Sequence, residues 1–273
     1  MIDLHSHTYF SDGSSSPEEL LALAGEVGLS ALGITDHDDF TGYDHALRLP
    51  RPVGLELICG IEVTTRAAGQ SVHLLGYFLS GEPGVAFRKW IHEGQLQRRD
   101  RNVRLVKKLQ TLGIRIEFEE VEAVGRRMTG RPHFARVLMQ KGYARSYEEA
   151  FDRYLGEDGV AFVKHEGPPI EEAIQQINDA GGVSSLAHPV RVRVPSVERF
   201  VAGLADKGLR AVEVQHSDHG ALVQSEYRQI ADKYGLAVTG GSDFHGTVKP
   251  HVKLGGAQVE DWVLERLRER FGG

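Results

Sequence analysis

The 273-residue sequence predicts an α/β fold, a βα barrel slightly short of eight strands that carries a helical insertion. Short apolar runs rich in β-branched residues alternate with helical patterns, and this alternation predicts parallel strand pairing. Positions 81–160 break the alternation, because they have the pattern of helices throughout. We therefore expect a barrel domain formed by residues 1–80 and 161–273, and a helical insertion domain formed by residues 81–160.

Seven runs are predicted as strands, since each is short, apolar and bounded by turn-forming residues. In chain order they are 2–7, 31–35, 55–60, 72–78, 183–187, 211–215 and 236–240. The first helix has clear punctuation: the sequence Ser16-Pro17-Glu18-Glu19 combines a capping box with proline at the first helical position, and Gly28 ends the helix. Similar patterns predict helices at 169–180 and 224–234. In the insertion, helices are predicted at 85–112, 132–140 and 146–155.

Composition excludes several classes of protein. The single cysteine, Cys59, rules out an intrachain disulfide and a multi-cysteine zinc site. No apolar run approaches the roughly 18 residues that a bilayer crossing needs, and no secretory signal is visible. We therefore expect a cytoplasmic protein without a membrane partner or an obligate protein partner.

Charge is unevenly distributed along the chain. Positions 81–160 hold 16 Lys and Arg against 12 Asp and Glu, a balance of +4, while the remaining positions hold 16 against 26, a balance of −10. The net charge of −6 argues against a general DNA coat protein. The basic insertion inside an acidic chain indicates instead a local site for an anion.

Histidines and carboxylates recur at the ends of the predicted strands. His5 and His7 are two positions apart on the first strand, so their side chains point to the same face. Carboxyl ends of barrel strands are where active sites are built. Further candidates follow the other strands or their loops: Asp12, His37, Glu62, His73, His188, Asp243 and His245. Imidazoles and carboxylates without thiolates suit Mn, Zn or Fe in a multinuclear hydrolytic site.

These motifs resemble those of the PHP (polymerase and histidinol phosphatase) family. The resemblance is carried by His5-x-His7, Thr35-Asp36-His37, Glu62, Ala187-His188-Pro189 and Gly241-Ser242-Asp243-x-His245. It implies a distorted (β/α)7 barrel with two or three divalent metal ions, manganese first and zinc or iron as alternatives. One metal would take His5, His7, Glu62 and Asp243, a second Asp12, His37 and His245, and a third His73 and His188 with Glu62 bridging. Position 12 is histidine in some members of the family.

The insertion and one further histidine supply candidates for substrate binding and proton transfer. Arginine presents a planar fork that matches phosphate oxygens. The resemblance extends to small bacterial PHP proteins that act on nucleoside 3',5'-bisphosphates. On that basis the candidate substrate-binding residues are Arg99, Asn102, Arg131, His133 and Arg136. His216 ends the sixth strand outside the metal scheme, and is the candidate catalytic proton donor. We expect His45, His92, His165, His219 and His251 at the surface.

The resemblance implies a phosphatase that removes the 3'-phosphate of a nucleoside 3',5'-bisphosphate. Three alternatives remain open. A 5'-to-3' exonuclease on short RNA or DNA needs a groove open to a longer chain. A histidinol-phosphate phosphatase would not need so basic an insertion. A non-enzymatic accessory module predicts lost metal ligands, whereas all nine candidates are present.

Overall fold

A computed structural model describes residues 1–125, 129–163 and 167–272. The chain divides into two compact units. The first, called the barrel unit, comprises Met1–Trp90 and Pro168–Gly273, and the second, called the helical unit, comprises Ile91–Gly167. The sequence placed these boundaries at 80/81 and 160/161. The observed boundaries differ from these because the helix Val85–Thr111 begins inside the barrel unit, and because Ala161 packs in the core of the helical unit.

The described residues of the barrel unit form a seven-stranded sheet whose strands follow chain order from first to last. The strands are β1 (Ile2–Asp3), β2 (Ala31–Ile34), β3 (Glu56–Ala67), β4 (Gln70–Phe78), β5 (Val183–Leu186), β6 (Ala211–His216) and β7 (Ala237–Gly241). The expected barrel-like α/β fold is therefore confirmed.

Two strand pairings depart from the prediction. β4 runs antiparallel to both β3 and β5, whereas the alternation of strands and helices predicted parallel pairing throughout. β3 continues to Ala67 and turns directly into β4 at Ala68 and Gly69, both with positive φ. A connection this short can join only antiparallel strands, since a parallel crossover needs about a dozen residues.

Hydrogen bonds close the sheet between its first and last strands. Leu4 N donates to Gly240 O at 3.2 Å, and Ile2 N donates to Val259 O at 2.9 Å. β1 itself is shorter than predicted, because beyond Asp3 the chain bonds the segment after β7 instead of extending a regular ladder. The HxH motif and the motif after β7 are thereby brought side by side.

Helices fill the connections and the helical unit. In chain order they are α1 (Pro17–Val27), α2 (Thr41–Ala46), α3 (Val85–Thr111), α4 (Phe118–Gly125), α5 (Arg131–Gln140), α6 (Tyr147–Ala150), α7 (Ile170–Asp179), α8 (Val197–Ala205), α9 (Ala221–Lys233) and α10 (Trp262–Phe271). α1 has the predicted capping box, in which Glu19 N donates to Ser16 Oγ at 3.1 Å and Ser16 N to Glu19 Oε2 at 2.8 Å.

Each unit has its own apolar core. In the barrel unit, Leu4, Leu75 and Tyr77 belong to a buried cluster that includes residues of α10. In the helical unit, Leu105 and Phe134 belong to a second cluster of buried residues. No helix among the described residues combines the length and the apolar character needed to cross a membrane.

Closure of the barrel at Gly241 can be tested by adding a methyl group. A Cβ there would meet His5 N at 2.3 Å and His5 Cβ at 2.4 Å. We expect Gly241→Ala to lower the free energy of unfolding by roughly 1–3 kcal/mol, measured by urea denaturation, because the overpacked backbone must shift.

Gly203→Ala is the matched control. A Cβ at this position of α8 meets nothing within 4 Å. We expect it to raise stability by roughly 0.5–1 kcal/mol, since alanine loses less backbone entropy in a helix. Equal stability of Gly241→Ala and the unsubstituted protein would show that β1 and β7 do not depend on close approach at this point.

Candidate metal centre

The HxH motif lies where β1 meets the end of β7. His5 and His7 are completely buried. Their backbone is anchored to the segment after β7, since Asp243 N donates to His5 O at 2.9 Å and His7 N donates to Phe244 O at 2.9 Å. The Nε2 atoms of the two rings converge on one oxygen, Glu62 Oε2, at 3.2 Å from His5 and 3.1 Å from His7.

Glu62 is the carboxylate at the middle of the cluster. It lies on β3 and is 1% exposed. Its Oε2 is also 3.4 Å from His37 Nδ1. Its Oε1 is 2.8 Å from His73 Nδ1 and 2.9 Å from His188 Nε2. With the two rings of the HxH motif, five imidazoles therefore face one carboxylate.

A second carboxylate, Asp12, faces three rings from the loop after β1. Its Oδ1 is 3.2 Å from His245 Nε2 and 3.6 Å from His7 Nδ1, and its Oδ2 is 3.7 Å from His37 Nε2. Asp12 therefore belongs to one cluster of donor atoms with these three rings.

Asp36 fixes the loop that carries Asp12. Its buried carboxylate accepts hydrogen bonds from Thr8 N at 2.7 Å, Thr8 Oγ1 at 2.6 Å and Ser11 Oγ at 2.6 Å. These donors satisfy a charge that burial would otherwise destabilise. The loop is thus tied to the end of β2, next to His37.

Asp243 supplies the third carboxylate and presents two different edges. Its Oδ1 is 3.5 Å from His5 Nε2 and 3.3 Å from His7 Nε2. Its Oδ2 accepts hydrogen bonds from Arg191 Nη1 at 3.0 Å and Lys249 Nζ at 2.7 Å. One oxygen faces imidazoles and the other faces two cations.

Neighbouring acceptors orient the ring of His245. Its Nδ1 lies 2.8 Å from the backbone oxygen of Asp243, which can only accept, so Nδ1 carries the proton. The other nitrogen, Nε2, then faces Asp12 as a free lone pair. This arrangement of a second group behind the ring is typical of metal-binding histidines.

His216 has the opposite tautomer. Asp218 N donates to its Nδ1 at 2.9 Å, so in the neutral ring the proton is on Nε2. That nitrogen lies 3.6 Å from Asp243 Oδ2 and has no hydrogen-bond partner among the described residues. His216 therefore presents an N–H donor, not a lone pair, to the centre.

Backbone strain is concentrated at the strand ends that form the centre. Among the described residues, Asp38, His188 and Asp243 are three of the five non-glycine residues with positive φ. Each such residue costs of order 1–3 kcal/mol, and such strain clusters at functional sites. The surrounding hydrogen bonds must hold these conformations in place.

The nine residues expected to bind metal come together in the barrel unit. Four clusters of donor atoms among the described residues have all members within 4.8 Å of one another, and three of them consist of expected ligands: His5, His7, Glu62 and Asp243; His7, Asp12, His37 and His245; and His37, Glu62 and His73. His188 reaches the same Oε1 of Glu62 as His73 does.

The pKa values of the donor groups show which of them already have the protonation state that a metal ion needs. Burial lowers the pKa of His37 to about 3 and that of His188 to about 4, so both rings are neutral at pH 7. Burial acts to raise the pKa of Glu62, but the nearby imidazoles of His37, His73 and His5 hold it well below the usual range. Burial acts to lower the pKa of His7, but contacts with Asp243 and Glu62 raise it to about 9, so this ring is protonated at pH 7 and must release a proton when a metal binds.

The donor set fits divalent metal ions. His7 Nε2, His37 Nδ1 and His73 Nδ1 are buried and face carboxylate oxygens, yet none makes a hydrogen bond of good geometry among the described residues. Nitrogen lone pairs and carboxylate oxygens that converge in this way repel one another unless a proton or a cation lies between them. Imidazole and carboxylate donors are those preferred by Mn, Zn and Fe.

Three residues of the centre escaped sequence reasoning, and a fourth, Asp36, was recognised only as part of the Thr35-Asp36-His37 motif. Glu213, Asp36, Arg191 and Lys249 each contact a candidate ligand or its loop. Of these, Glu213 had a detectable signal, because it is a carboxylate between two valines inside a predicted buried strand, β6. Arg191 and Lys249 lie in loops, where only the folded chain shows their neighbours.

The remaining histidines are distributed as follows. His92 and His251 are exposed and His45 is half-buried, while His165 lies outside the described residues. The expectation for His219 is wrong, because this residue is 3% exposed. Its Nδ1 donates to Val214 O at 2.9 Å, while its buried Nε2 has no hydrogen-bond partner among the described residues.

In the helical unit, two of the candidate substrate-binding residues lie on α3. Arg99 is more than half exposed, its Nε donates to Glu122 Oε1 at 3.2 Å, and its guanidinium lies 5.0 Å from the centre of the Phe118 ring. Asn102 is buried and its Nδ2 donates to Thr129 O at 2.7 Å. Of these two side chains, Arg99 is exposed to solvent and Asn102 is not.

The other three candidates lie on α5. His133 Nδ1 accepts a hydrogen bond from Gly130 N at 3.0 Å, which caps the start of the helix. Arg131 Nη1 donates to Leu155 O at 3.4 Å, and Arg136 is exposed. His133 thus has a structural contact in addition to its expected role.

Arg101 is a guanidinium that sequence reasoning passed over. It is 3% exposed, and its Nε and Nη1 have no hydrogen-bond partner among the described residues. Burial, together with Arg98, Arg131 and Arg104, lowers its pKa to about 9. Burial of a guanidinium with two unpartnered nitrogens is unusual, since buried charges are normally paired.

Comparison with known proteins agrees with the geometry. The sequence profile of a family described as "PHP domain" matches residues 3–162. The chain is 32% identical over 246 residues to a "5'-3' exoribonuclease" of Haemophilus influenzae, covering 89% of each chain. It is 30% identical over 250 residues to a "3',5'-nucleoside bisphosphate phosphatase" of Chromobacterium violaceum, covering 89% of this chain and 87% of that protein.

Solved structures include a close match in fold. A Bifidobacterium adolescentis protein, described as a metal-dependent phosphoesterase, superposes with a TM-score of 0.86 at 30% identity, covering 98% of this chain and 96% of that one.

Loss of one carboxylate oxygen at position 243 tests the centre. We expect Asp243→Asn to lower phosphoesterase turnover by at least about a hundredfold, because loss of a ligand exceeds the 10–100-fold effect of losing an outer contact. The left-handed backbone of Asp243, with φ 58°, also suits asparagine, so the fold should persist. Bound metal would be measured together with turnover.

Asp218→Asn is the matched control. Asp218 also accepts hydrogen bonds from Arg191, but no cluster of candidate ligands includes it. We expect nearly full turnover and full metal content. Unchanged turnover and metal content in Asp243→Asn would remove this carboxylate from the metal centre.

Proposed function

The chain belongs to the PHP family of metal-dependent phosphoesterases, and from that premise we propose that it removes the 3'-phosphate of nucleoside 3',5'-bisphosphates. The products would be a nucleoside 5'-monophosphate and phosphate. The observation that carries the proposal is the converging set of imidazoles and carboxylates beside two cations, Arg191 and Lys249. The 30% identity to a protein named for this activity supports the substrate class.

We assign two or three divalent ions to the centre, manganese first and zinc or iron as alternatives. When bound, such ions act as Lewis acids and lower the pKa of water, which supplies a nucleophile at neutral pH. His5, His7, Glu62 and Asp243 would hold one ion. Asp12, His37 and His245 would hold a second, and His73 and His188, with Glu62, a third where it is present.

The remaining residues of the centre supply positive charge for the phosphoryl oxygens and an N–H donor for the leaving oxygen. During phosphoryl transfer, negative charge is spread over the phosphoryl oxygens, and the protein contributes mainly by positioning and electrostatic stabilisation. Arg191 and Lys249 lie beside Asp243 Oδ2 and supply that positive charge. His216 presents the N–H on Nε2 as the candidate hydrogen-bond donor to the leaving 3'-oxygen. Because its Nδ1 accepts from Asp218 N, the neutral ring stabilises the developing charge and keeps its own proton.

A substrate with two phosphates needs a partner for the phosphate that does not react. We propose that Arg99, Asn102, Arg131, His133 and Arg136 supply this partner, supported by the positive charge balance of positions 81–160. Arg101 joins this set, because a buried guanidinium without a carboxylate partner among the described residues favours an anion.

A second candidate function is 5'-to-3' trimming of short oligonucleotides. The 32% identity to an exoribonuclease favours it. Both activities require hydrolysis of a phosphate ester at the same metal centre. They differ in whether the substrate is a single nucleotide or the end of a chain.

A phosphate-release assay with Mn²⁺ distinguishes the candidates. It would compare a nucleoside 3',5'-bisphosphate, a nucleoside monophosphate, histidinol phosphate and a short 5'-phosphorylated RNA whose products are also resolved by size. We expect the highest kcat/KM for the bisphosphate. Shortening of the RNA at a higher kcat/KM would establish the exonuclease, and preference for histidinol phosphate would contradict both.

Arg99→Ala tests recognition of the second phosphate. A charged hydrogen bond contributes roughly 1.5–3 kcal/mol, so kcat/KM for the bisphosphate should fall by roughly ten- to a hundredfold. Hydrolysis of an aryl phosphate should hardly change, since that substrate has no second phosphate. Steady-state kinetics on both substrates measures the difference.

Glu122→Gln is the control, because it removes the ion pair of Arg99 and leaves the guanidinium. We expect kcat/KM for the bisphosphate to stay within about twofold of the unsubstituted value, as for other exposed ion pairs. Equal losses on both substrates in Arg99→Ala would assign Arg99 to the fold. No loss on either would leave it as a solvated residue of α3.

A further inference from the structure

Glu213 is a buried carboxylate that no metal-binding motif contains. It lies on β6, is 0% exposed, and uses both of its oxygens. Its Oε1 is 2.8 Å from His5 Nδ1, and its Oε2 accepts a hydrogen bond from the backbone N of His188 at 2.7 Å. An ionised carboxylate is tolerated at such depth only when its hydrogen bonds are satisfied.

We propose that Glu213 is a positioning residue that prepares two different parts of the metal centre at once, the ring of His5 and the backbone of His188. The proposal rests on the metal centre of the proposed function. It goes beyond it by assigning a role to a residue that binds neither metal nor substrate. Through Glu213, the end of β1 and the end of β5 depend on the same carboxylate.

The contact with His5 selects one tautomer of its ring. A carboxylate only accepts hydrogen bonds, so Nδ1 must carry the proton. The other nitrogen, Nε2, is then left as a lone pair 3.2 Å from Glu62 Oε2 and 3.5 Å from Asp243 Oδ1. A carboxylate behind a ligating histidine fixes both the tautomer and the orientation of the ring in this way.

The contact with His188 acts on the backbone. His188 has φ 28° and ψ 65°, a left-handed conformation that a residue with a side chain rarely adopts. Its amide donates to Glu213, and its ring then reaches Glu62 Oε1 at 2.9 Å through Nε2. Without Glu213, the His188 amide would be a buried donor without an acceptor in a strained residue. The His188 ring would then no longer be held towards Glu62.

Glu213 could instead bind a metal itself, because His5, Glu213 and His216 also form a cluster of donor atoms. The contacts argue against this. Both oxygens already accept from N–H groups at 2.8 and 2.7 Å, and His216 presents a proton on Nε2 and uses its Nδ1 to accept from Asp218 N. A metal in this position would require Nδ1 of His5 to lose its proton.

Glu213→Gln is the substitution that separates these roles. The glutamine side chain has the same shape but only one acceptor oxygen, whereas the two N–H groups that contact Glu213 each need an acceptor. If the oxygen faces His188, the amide NH₂ meets His5 Nδ1 and forces the proton onto Nε2, which then cannot bind a metal. If it faces His5, the His188 amide loses its acceptor. Either arrangement damages one side of the centre.

We expect Glu213→Gln to bind Zn²⁺ 10–100-fold more weakly at one position or more, measured by competition with a chelator, while the metal-free variant keeps its far-UV circular dichroism. The control is Asp3→Asn. Asp3 is equally buried and accepts from the backbone N atoms of His5, Ser242 and Gly255, but makes no hydrogen bond with an imidazole ring among the described residues. It should lower stability without a comparable loss of Zn²⁺ affinity.

Nitrogen-15 NMR of the Zn²⁺-loaded, unsubstituted protein tests the tautomer directly and does not depend on the variant folding. We expect His5 to show a slowly exchanging proton on Nδ1 and the shift of a metal-bound nitrogen on Nε2. Metal bound to Nδ1 would overturn the proposal in favour of Glu213 as a ligand. Unchanged Zn²⁺ affinity in Glu213→Gln would also overturn it. Failure of the unsubstituted protein to bind any divalent ion would instead overturn the proposed function itself.

Discussion

A single carboxylate among five imidazoles is the constraint around which the barrel unit is organised. Glu62 is 1% exposed, and its charge would be strongly unfavourable at that depth without close partners. The partners come from four different segments of the chain, which must therefore end at the same place. His73 is among them because β3 and β4 pair antiparallel, with Thr64 opposite His73, so that the ring falls diagonally beside Glu62.

That antiparallel pairing is also where sequence reasoning about the fold was least successful. Seven strands and the capped first helix were predictable, because periodicity and turn residues are local signals. The direction of β4 was not inferred, because the rule of alternating strands and helices was applied to a connection too short to hold a helix. The predicted strands 55–60 and 72–78 leave residues 61–71 between them, which is fewer than the dozen or more that a parallel crossover needs, so the information was in the sequence.

The candidate site likewise has a part that the sequence predicted and a part that it did not. All nine expected ligands meet in the barrel unit. Seven of them follow strand ends, which converge in a barrel whatever the details of packing, while Glu62 and His73 lie within β3 and β4. Glu213, Arg191 and Lys249 could not be inferred from strand ends alone, since their roles depend on which atoms lie beside them. Conversely, the positive charge balance of positions 81–160 indicated an anion-binding site, but Asn102 and Arg101 on α3 are buried. Spacing along a helix identifies a shared face without saying whether that face meets solvent.

The two edges of Asp243 connect the metal centre to its chemistry. Oδ1 faces the imidazoles of His5 and His7, where a cation is required, and Oδ2 is neutralised by Arg191 and Lys249. A phosphoryl group that arrives beside this carboxylate would be repelled by an uncompensated charge on Oδ2. With two cations already there, the local field favours an anion. The same carboxylate can therefore bind metal on one side and tolerate a phosphate on the other, which is the combination that a metal-dependent phosphoesterase needs.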